Sequence, residues 1–104
     1  MSVDITVEEL KQRLDNKESI FIIDVREPHE FAEFSISELN IPLGLLPQKL
    51  WDFDERMEEE IVVLCRSGSR SASAKMILTQ AGFSNVRNLT GGILDWQEKI
   101  NNEQ

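Results

Sequence analysis

Cys65 is the one cysteine of the chain, and Arg66, Ser67, Gly68, Ser69 and Arg70 follow it directly. Two guanidinium groups, two hydroxyls and a glycine within five residues of a thiol are the makings of an anion cradle around a nucleophile. Gly68 lets the backbone take left-handed angles and curl its amides inward. Ser67 and Ser69 add hydroxyl donors, and Arg66 and Arg70 add positive field. The preceding run, Ile61-Val62-Val63-Leu64, is apolar and β-branched, the pattern of a strand buried on both faces. From Ser71 the pattern turns helical, with Ala74, Ile77, Leu78 and Ala81 at i, i+3, i+4 and i+7 and Gly82 as the stop. A loop entering a helix N-terminus faces several unpaired N–H groups and the positive end of the macrodipole. A thiol there should lose its proton more readily than a free one. The plainer reading is a small buried hydrophobe whose thiol pKa is raised and whose sulfur is inert.

The other elements must bring ligands to the same edge. Residues 20–25, Ile-Phe-Ile-Ile-Asp-Val, form a second buried-strand signal that ends in Asp24 and Arg26. In open parallel sheets ligands sit at the carboxyl ends of strands, where Cys65 also emerges. Asp24 is therefore expected either to bond the thiol loop or one of its arginines, or to make a surface ion pair with Lys17 or an adjacent residue. Pro28 opens a short helix that turns Phe31 and Phe34 inward, with His29 as an exposed helix-start residue rather than a base. Residues 3–5 read as a short first strand, followed by Thr6 as N-cap with Glu9 three residues on and a stripe of Val7, Leu10 and Leu14.

Residues 40–43 end a brief strand, because Pro42 argues for a turn. Leu45, Leu46, Leu50, Trp51 and Phe53 form an apolar patch on a helix. Trp51 is assigned to the core, with a pocket rim as the other reading. Residues 52–60 read as an acidic, solvated connector with Met57 tucked inward. Residues 85–89 give a last strand, and Gly91-Gly92 either approaches a ligand or makes a tight helix entry. A final helix carries Ile93, Trp96 and Ile100, and residues 101–104 should fray. Alternating strands and helices predict a small α/β fold with a mostly parallel sheet of about five strands and helices on both faces.

At 104 residues the chain is read as one domain, residues 1–104, able to bury roughly two thirds of its unfolded surface without staples. A single cysteine excludes an internal disulfide, a Cys-x-x-Cys pair and a multi-thiolate zinc site, and fits a reducing compartment. No cofactor or metal set is expected. The formal charge of -8 argues against nucleic-acid binding. No secretory signal or membrane-spanning run is evident, so the expected location is the cytoplasm.

Three chemistries compete for such a thiol. A sulfur carrier needs a thiolate to attack sulfane sulfur and donors to hold the persulfide anion, without a resolving cysteine. A cysteine phosphatase, or an arsenate reductase like it, needs a wider loop around a tetrahedral oxyanion. Here Arg70 lies five positions after Cys65 and Ser71 is the sixth, which misses the Cys-x5-Arg spacing. A binding or regulatory domain with an idle thiol is the third.

The chain resembles the single-domain rhodanese-like sulfurtransferases. Asp24-Val25-Arg26-Glu27-Pro28-His29-Glu30-Phe31 is similar to the family's first signature, and Asn40-Ile41-Pro42-Leu43 to the segment that follows it. Cys65-Arg66-Ser67-Gly68-Ser69-Arg70 resembles the six-residue active loop, and Leu89-Thr90-Gly91-Gly92-Ile93 with Trp96 the closing signature. The resemblance implies a rhodanese-like fold and a Cys65 persulfide, with the loop amides of residues 66–70 holding its outer sulfur. It implies sulfur transfer from an anionic donor such as thiosulfate to a thiol, cyanide or a protein acceptor, with Asp24 and Arg26 as braces. Residues 34–39, Phe-Ser-Ile-Ser-Glu-Leu, depart from the family's Gly-His-Ile pattern, so that turn should be built differently.

Overall fold

The computed structural model describes residues 2–101. In chain order the elements are α1 (Val7–Asp15), β1 (Phe21–Asp24), α2 (Pro28–Glu33), β2 (Leu39–Asn40), α3 (Leu46–Lys49), β3 (Ile61–Leu64), α4 (Ser69–Gln80), β4 (Val86–Asn88) and α5 (Gly92–Lys99). Short 3-10 helices, Leu43–Leu45 and Leu50–Arg56, flank α3. The sheet runs β2-β1-β3-β4 with every pairing parallel, and the register sets Ile22 beside Val62 and Val63 beside Asn88.

Strand side chains alternate between faces. On one face Ile23, Val25, Ile61, Val63 and Cys65 pack with Leu46, Phe53, Ala74, Leu78 and Phe83, under α3 and α4. On the other, Ile22, Val62 and Leu64 pack with Ile5, Val7, Leu10, Leu89, Ile93 and Trp96, under α1 and α5. All four residues of β3 are buried, which explains its unbroken apolar run.

The sheet among the described residues has four strands rather than about five. The segment read as a first strand contributes one parallel bridge, Ile5 to Leu89. Thr6 already caps α1, accepting from the Glu9 N–H at 3.1 Å, so the chain turns into a helix before more pairs form. Glu9 does not complete a capping box; its carboxylate meets Arg87 instead.

Two further expectations are corrected in the stretch after β2. Residues 50–56, read in part as a solvated connector, are largely solvated but wind as two short 3-10 turns that meet at a kink at Phe53, and Trp51, assigned to the core, is 79 % exposed. The stretch kinks at Phe53, whose φ of -141° and ψ of 31° are not helical, and there Leu50 and Phe53 lie inward while Trp51 lies outside. Phe53 fills the core position, its ring 5.6 Å from Phe21 and 5.5 Å from Phe83. Helix α4 starts at Ser69, two residues before the expected Ser71. Of the tail expected to fray, residues 102–104 lie outside the described residues.

Leu78→Ala, at a fully buried α4 position, should lower unfolding stability by about 2–5 kcal/mol. Trp51→Ala should change it by less than about 0.5 kcal/mol. Urea titration of both variants checks the pair.

Candidate active site

Cys65 is the first residue beyond β3, and strand alternation places it on the α4 face with Ile61 and Val63. The chain then reverses within three residues into α4. Gly68 makes this possible: it stands at the α4 N-cap with φ 112°, a conformation that other side chains rarely adopt. Its N–H lies 3.1 Å from Cys65 Sγ, the backbone N–H groups of Ser67 and Ser71 also reach the sulfur, and Ser71 Oγ lies 3.4 Å away. Burial of Cys65, 1 % exposed, acts to raise its pKa. The Ser71 hydroxyl and the amides of Ser71, Gly68 and Ser67 outweigh that effect, and the thiol lies below its ordinary value. Of the plainer reading, the burial is present and the raised pKa is not.

Helix α5 fixes the other side of the loop. Ile93 N–H donates to the Cys65 carbonyl and Leu94 N–H to the Arg66 carbonyl, both at 3.0 Å. A trans peptide points its C=O and N–H in opposite directions. With these two carbonyls turned to α5, the Arg66 and Ser67 amides are turned away from it, and the Ser67 amide meets the sulfur. Gly91 and Gly92, with φ 78° and 58°, bring α5 this close, and a Cβ on Gly92 would overlap the Cys65 and Arg66 carbonyls. Of the two readings of this pair, the structure shows a tight helix entry.

The two loop arginines differ. Arg70 makes a two-pronged ion pair with Glu30 of α2, at 2.7 and 3.0 Å. The Arg70 guanidinium draws the Glu30 carboxyl down to about 2, and Glu30 in turn raises the Arg70 pKa. Arg66 is exposed and has no ion-pair partner among the described residues. It lines a cleft of about 320 Å³ together with His29, Glu33, Phe34, Leu94 and Gln97. Ser67 and Ser69 are exposed, and their hydroxyls bond no protein atom among the described residues.

Asp24 does not reach the thiol loop, its arginines or Lys17; it pairs with the adjacent Arg26, as the second expectation allowed, but in the interior rather than at the surface. Fully buried, it takes the Arg26 guanidinium through Nε and Nη2 and the Ser35 hydroxyl at 2.7 Å. Arg26 also donates to the Phe34 carbonyl. Sequence neighbours Asp24 and Arg26 satisfy each other at the point where the chain leaves β1 for α2. The altered turn is tied by serines: Ser35 to Asp24, and Ser37 to the Ile22 carbonyl at 2.6 Å.

Ser71 and Asn88 were not singled out by the sequence reading. Ser71 is fully buried, and its Oγ lies 2.5 Å from Asn88 Oδ1. The helical period carries the missing signal, because Ser71, Ala74, Lys75 and Leu78 form the buried stripe of α4. A serine on that stripe, one turn from the thiol, must find a partner there.

A parallel sheet with a thiol at the carboxyl end of a central strand, wrapped by amides from the following turn, defines a small α/β domain with a cysteine loop. Residues 6–99 match the rhodanese-like domain family, and the chain belongs to it. It is 38% identical over 103 residues to a putative mitochondrial thiosulfate sulfurtransferase of Schizosaccharomyces pombe, covering 88% of this chain and 72% of that protein. It is 37% identical over 94 residues to a sulfurtransferase of Allochromatium vinosum, covering 89% and 86%. The human single-domain sulfurtransferase TSTD1 superposes with a TM-score of 0.81 at 27% identity, over 92% of this chain and 96% of that one.

Gly92→Ala should cost about 1–2 kcal/mol from the left-handed φ alone, and more from the overlap. Urea unfolding measures the loss, and an upward shift in a thiolate absorbance titration shows the loop amides displaced. The depressed Glu30 pKa adds stability that is complete above its ordinary value of 4.5 and lost as pH falls toward about 2. Glu30→Gln should flatten that part of the acid-unfolding curve.

Proposed function

We propose that this domain is a rhodanese-type sulfurtransferase that carries sulfane sulfur from an anionic donor to a thiophilic acceptor as a persulfide on Cys65. The observation that carries this reading is the sulfur held by three backbone amides and a hydroxyl, with its pKa lowered despite burial. The names of the relatives support sulfur transfer as the reaction class. Cys65 is the nucleophile; the amides of residues 66–70 receive the outer sulfur and its charge. The residue six positions after Cys65 is Ser71, which meets the sulfur with a hydroxyl where phosphoryl transfer asks for a guanidinium. That favours sulfur over a tetrahedral oxyanion.

Thiosulfate is the proposed donor. The Cys65 thiolate attacks its outer sulfur, the S–S bond breaks toward sulfite, and the acceptor then removes the sulfur from Cys65. Thiols, cyanide and protein acceptors all have the required nucleophilicity, and the reaction suits the reducing cytoplasm. Arg66, without an ion pair among the described residues, supplies the attraction for the donor. Arg70 contributes mainly by neutralising Glu30, which would otherwise stand as a bare carboxylate beside the loop. Asp24 and Arg26 serve as braces of the α2–β2 turn.

Intact-protein mass spectrometry tests the reading. After thiosulfate the chain should gain the mass of one sulfur, lose it to cyanide, and show neither change as Cys65→Ser. No gain from thiosulfate or from a persulfide donor would favour the idle regulatory domain. Arg66→Ala should raise KM for thiosulfate several-fold. Arg70→Ala should raise it further by freeing Glu30, and adding Glu30→Gln should recover part of the loss; equal KM values in all three would remove the electrostatic argument.

A further inference from the structure

The donors around Cys65 are of two kinds. The amides of Ser67, Gly68 and Ser71 are fixed by the backbone, whereas the Ser71 hydroxyl can rotate. That hydroxyl has one proton and three acceptors in reach: Asn88 Oδ1 at 2.5 Å, the Gly68 carbonyl at 3.2 Å and Cys65 Sγ at 3.4 Å. Asn88 is oriented from two sides. Its Nδ2 donates to the Gly68 carbonyl at 3.2 Å, which turns Oδ1 toward Ser71, and its backbone N–H donates to Asp4 Oδ1 at 3.0 Å. Lys75, buried on the same stripe of α4, holds Asp4 Oδ1 at 2.6 Å. Sulfur transfer asks opposite things of Sγ in its two halves. During attack a hydrogen bond on Sγ competes with the forming S–S bond; during release it stabilises the departing thiolate.

We infer that Ser71 and Asn88 form a one-proton hydrogen-bond switch on Cys65, the hydroxyl turning to Asn88 Oδ1 while Sγ attacks and to Sγ while Sγ departs. This rests on the sulfur-transfer reading. In loading, a lone pair of Sγ makes the bond to the outer sulfur of thiosulfate, and the broken S–S bond leaves its electron pair on sulfite. In unloading, a lone pair of the acceptor makes the bond to the outer sulfur, and the Sγ–S pair returns to Sγ. The Ser71 proton stays on its oxygen throughout, and no oxidant or reductant enters.

The experiment separates the halves: sulfite release on mixing with thiosulfate, and thiocyanate formation from preloaded protein with cyanide, at a pH where Cys65 is ionised. Ser71→Ala should load no more slowly than wild type, because the bond it lacks is one that attack must break, and should unload about tenfold more slowly, the worth of one hydrogen bond to a charged sulfur. Asn88→Asp keeps the hydroxyl but offers it a carboxylate, so unloading should slow similarly, and the double variant should be no slower than the slower single one. A serine that merely fills space would leave the carboxylate's repulsion of Sγ independent of it, and the double variant would then be slower than either single one. Equal slowing of both halves, or wild-type unloading in Ser71→Ala, overturns the switch; if Ser71→Ala does not fold, Asn88→Asp decides by the same criterion. If the wild type transfers no sulfur, the functional reading fails, and a thiolate absorbance titration still judges the contact. A midpoint moved upward in Ser71→Ala upholds it, and an unmoved midpoint sinks it.

Discussion

A trans peptide cannot aim its carbonyl and its amide at the same side, and the thiol loop depends on that constraint. Two α5 amides take the carbonyls of Cys65 and Arg66, and the opposite sides of those peptides are thereby committed to the loop interior. The rest of the architecture follows from keeping α5 in place. Ile93 and Trp96 bury α5 against the sheet face that β1 and β3 line with Ile22, Val62 and Leu64, and α1 closes the same layer. The glycines that precede α5 allow its first turn to lie against the loop. The second anchor is α4, which enters directly from Gly68 and brings Ser71 under the sulfur. The two helices lie on opposite faces of the sheet, and they meet at the loop because it sits at the carboxyl edge between them.

Electrostatics add a second level of control at that edge. Burial alone would raise the Cys65 pKa, and the hydrogen bonds outweigh it, so the thiol lies below its ordinary value. The Arg70–Glu30 pair couples the loop to α2, so positive charge beside the sulfur is partly balanced across a sequence separation of 40 residues. At the opposite end of the sheet, Glu60, just before β3, is held by Arg13 of α1 and Arg87 of β4, and Arg87 reaches Glu9 as well. The amino ends of the strands are thus stitched by charges, and the carboxyl ends are left to the loop.

The sequence made the strand, the loop and the following helix legible because their signals are contiguous: an unbroken apolar run, a glycine, then a change of period. Gly91-Gly92 was visible as punctuation, but its role was not, since nothing local says which carbonyls a helix will cap. Glu30 and Asn88 escaped notice for the same reason; each partner lies far along the chain and is brought close only by the parallel pairing of β1, β3 and β4. Trp51 was misplaced because apolar character alone was credited with burial, whereas the chain kinks at Phe53, which takes the core position and leaves Trp51 exposed. The strand count fell short because helix capping at Thr6 ended the first extended segment after a single bridge.

A pocket made of main chain is blind to most substitutions and acutely aware of chain length. Ser67 and Ser69 turn their side chains to solvent while the backbone between them grips the sulfur. Exchanging those two side chains would repaint the doorway that an incoming molecule meets without redrawing the room behind it. Variation in partner choice can therefore accumulate at the rim under little structural constraint, whereas a single inserted residue would rebuild the chamber itself.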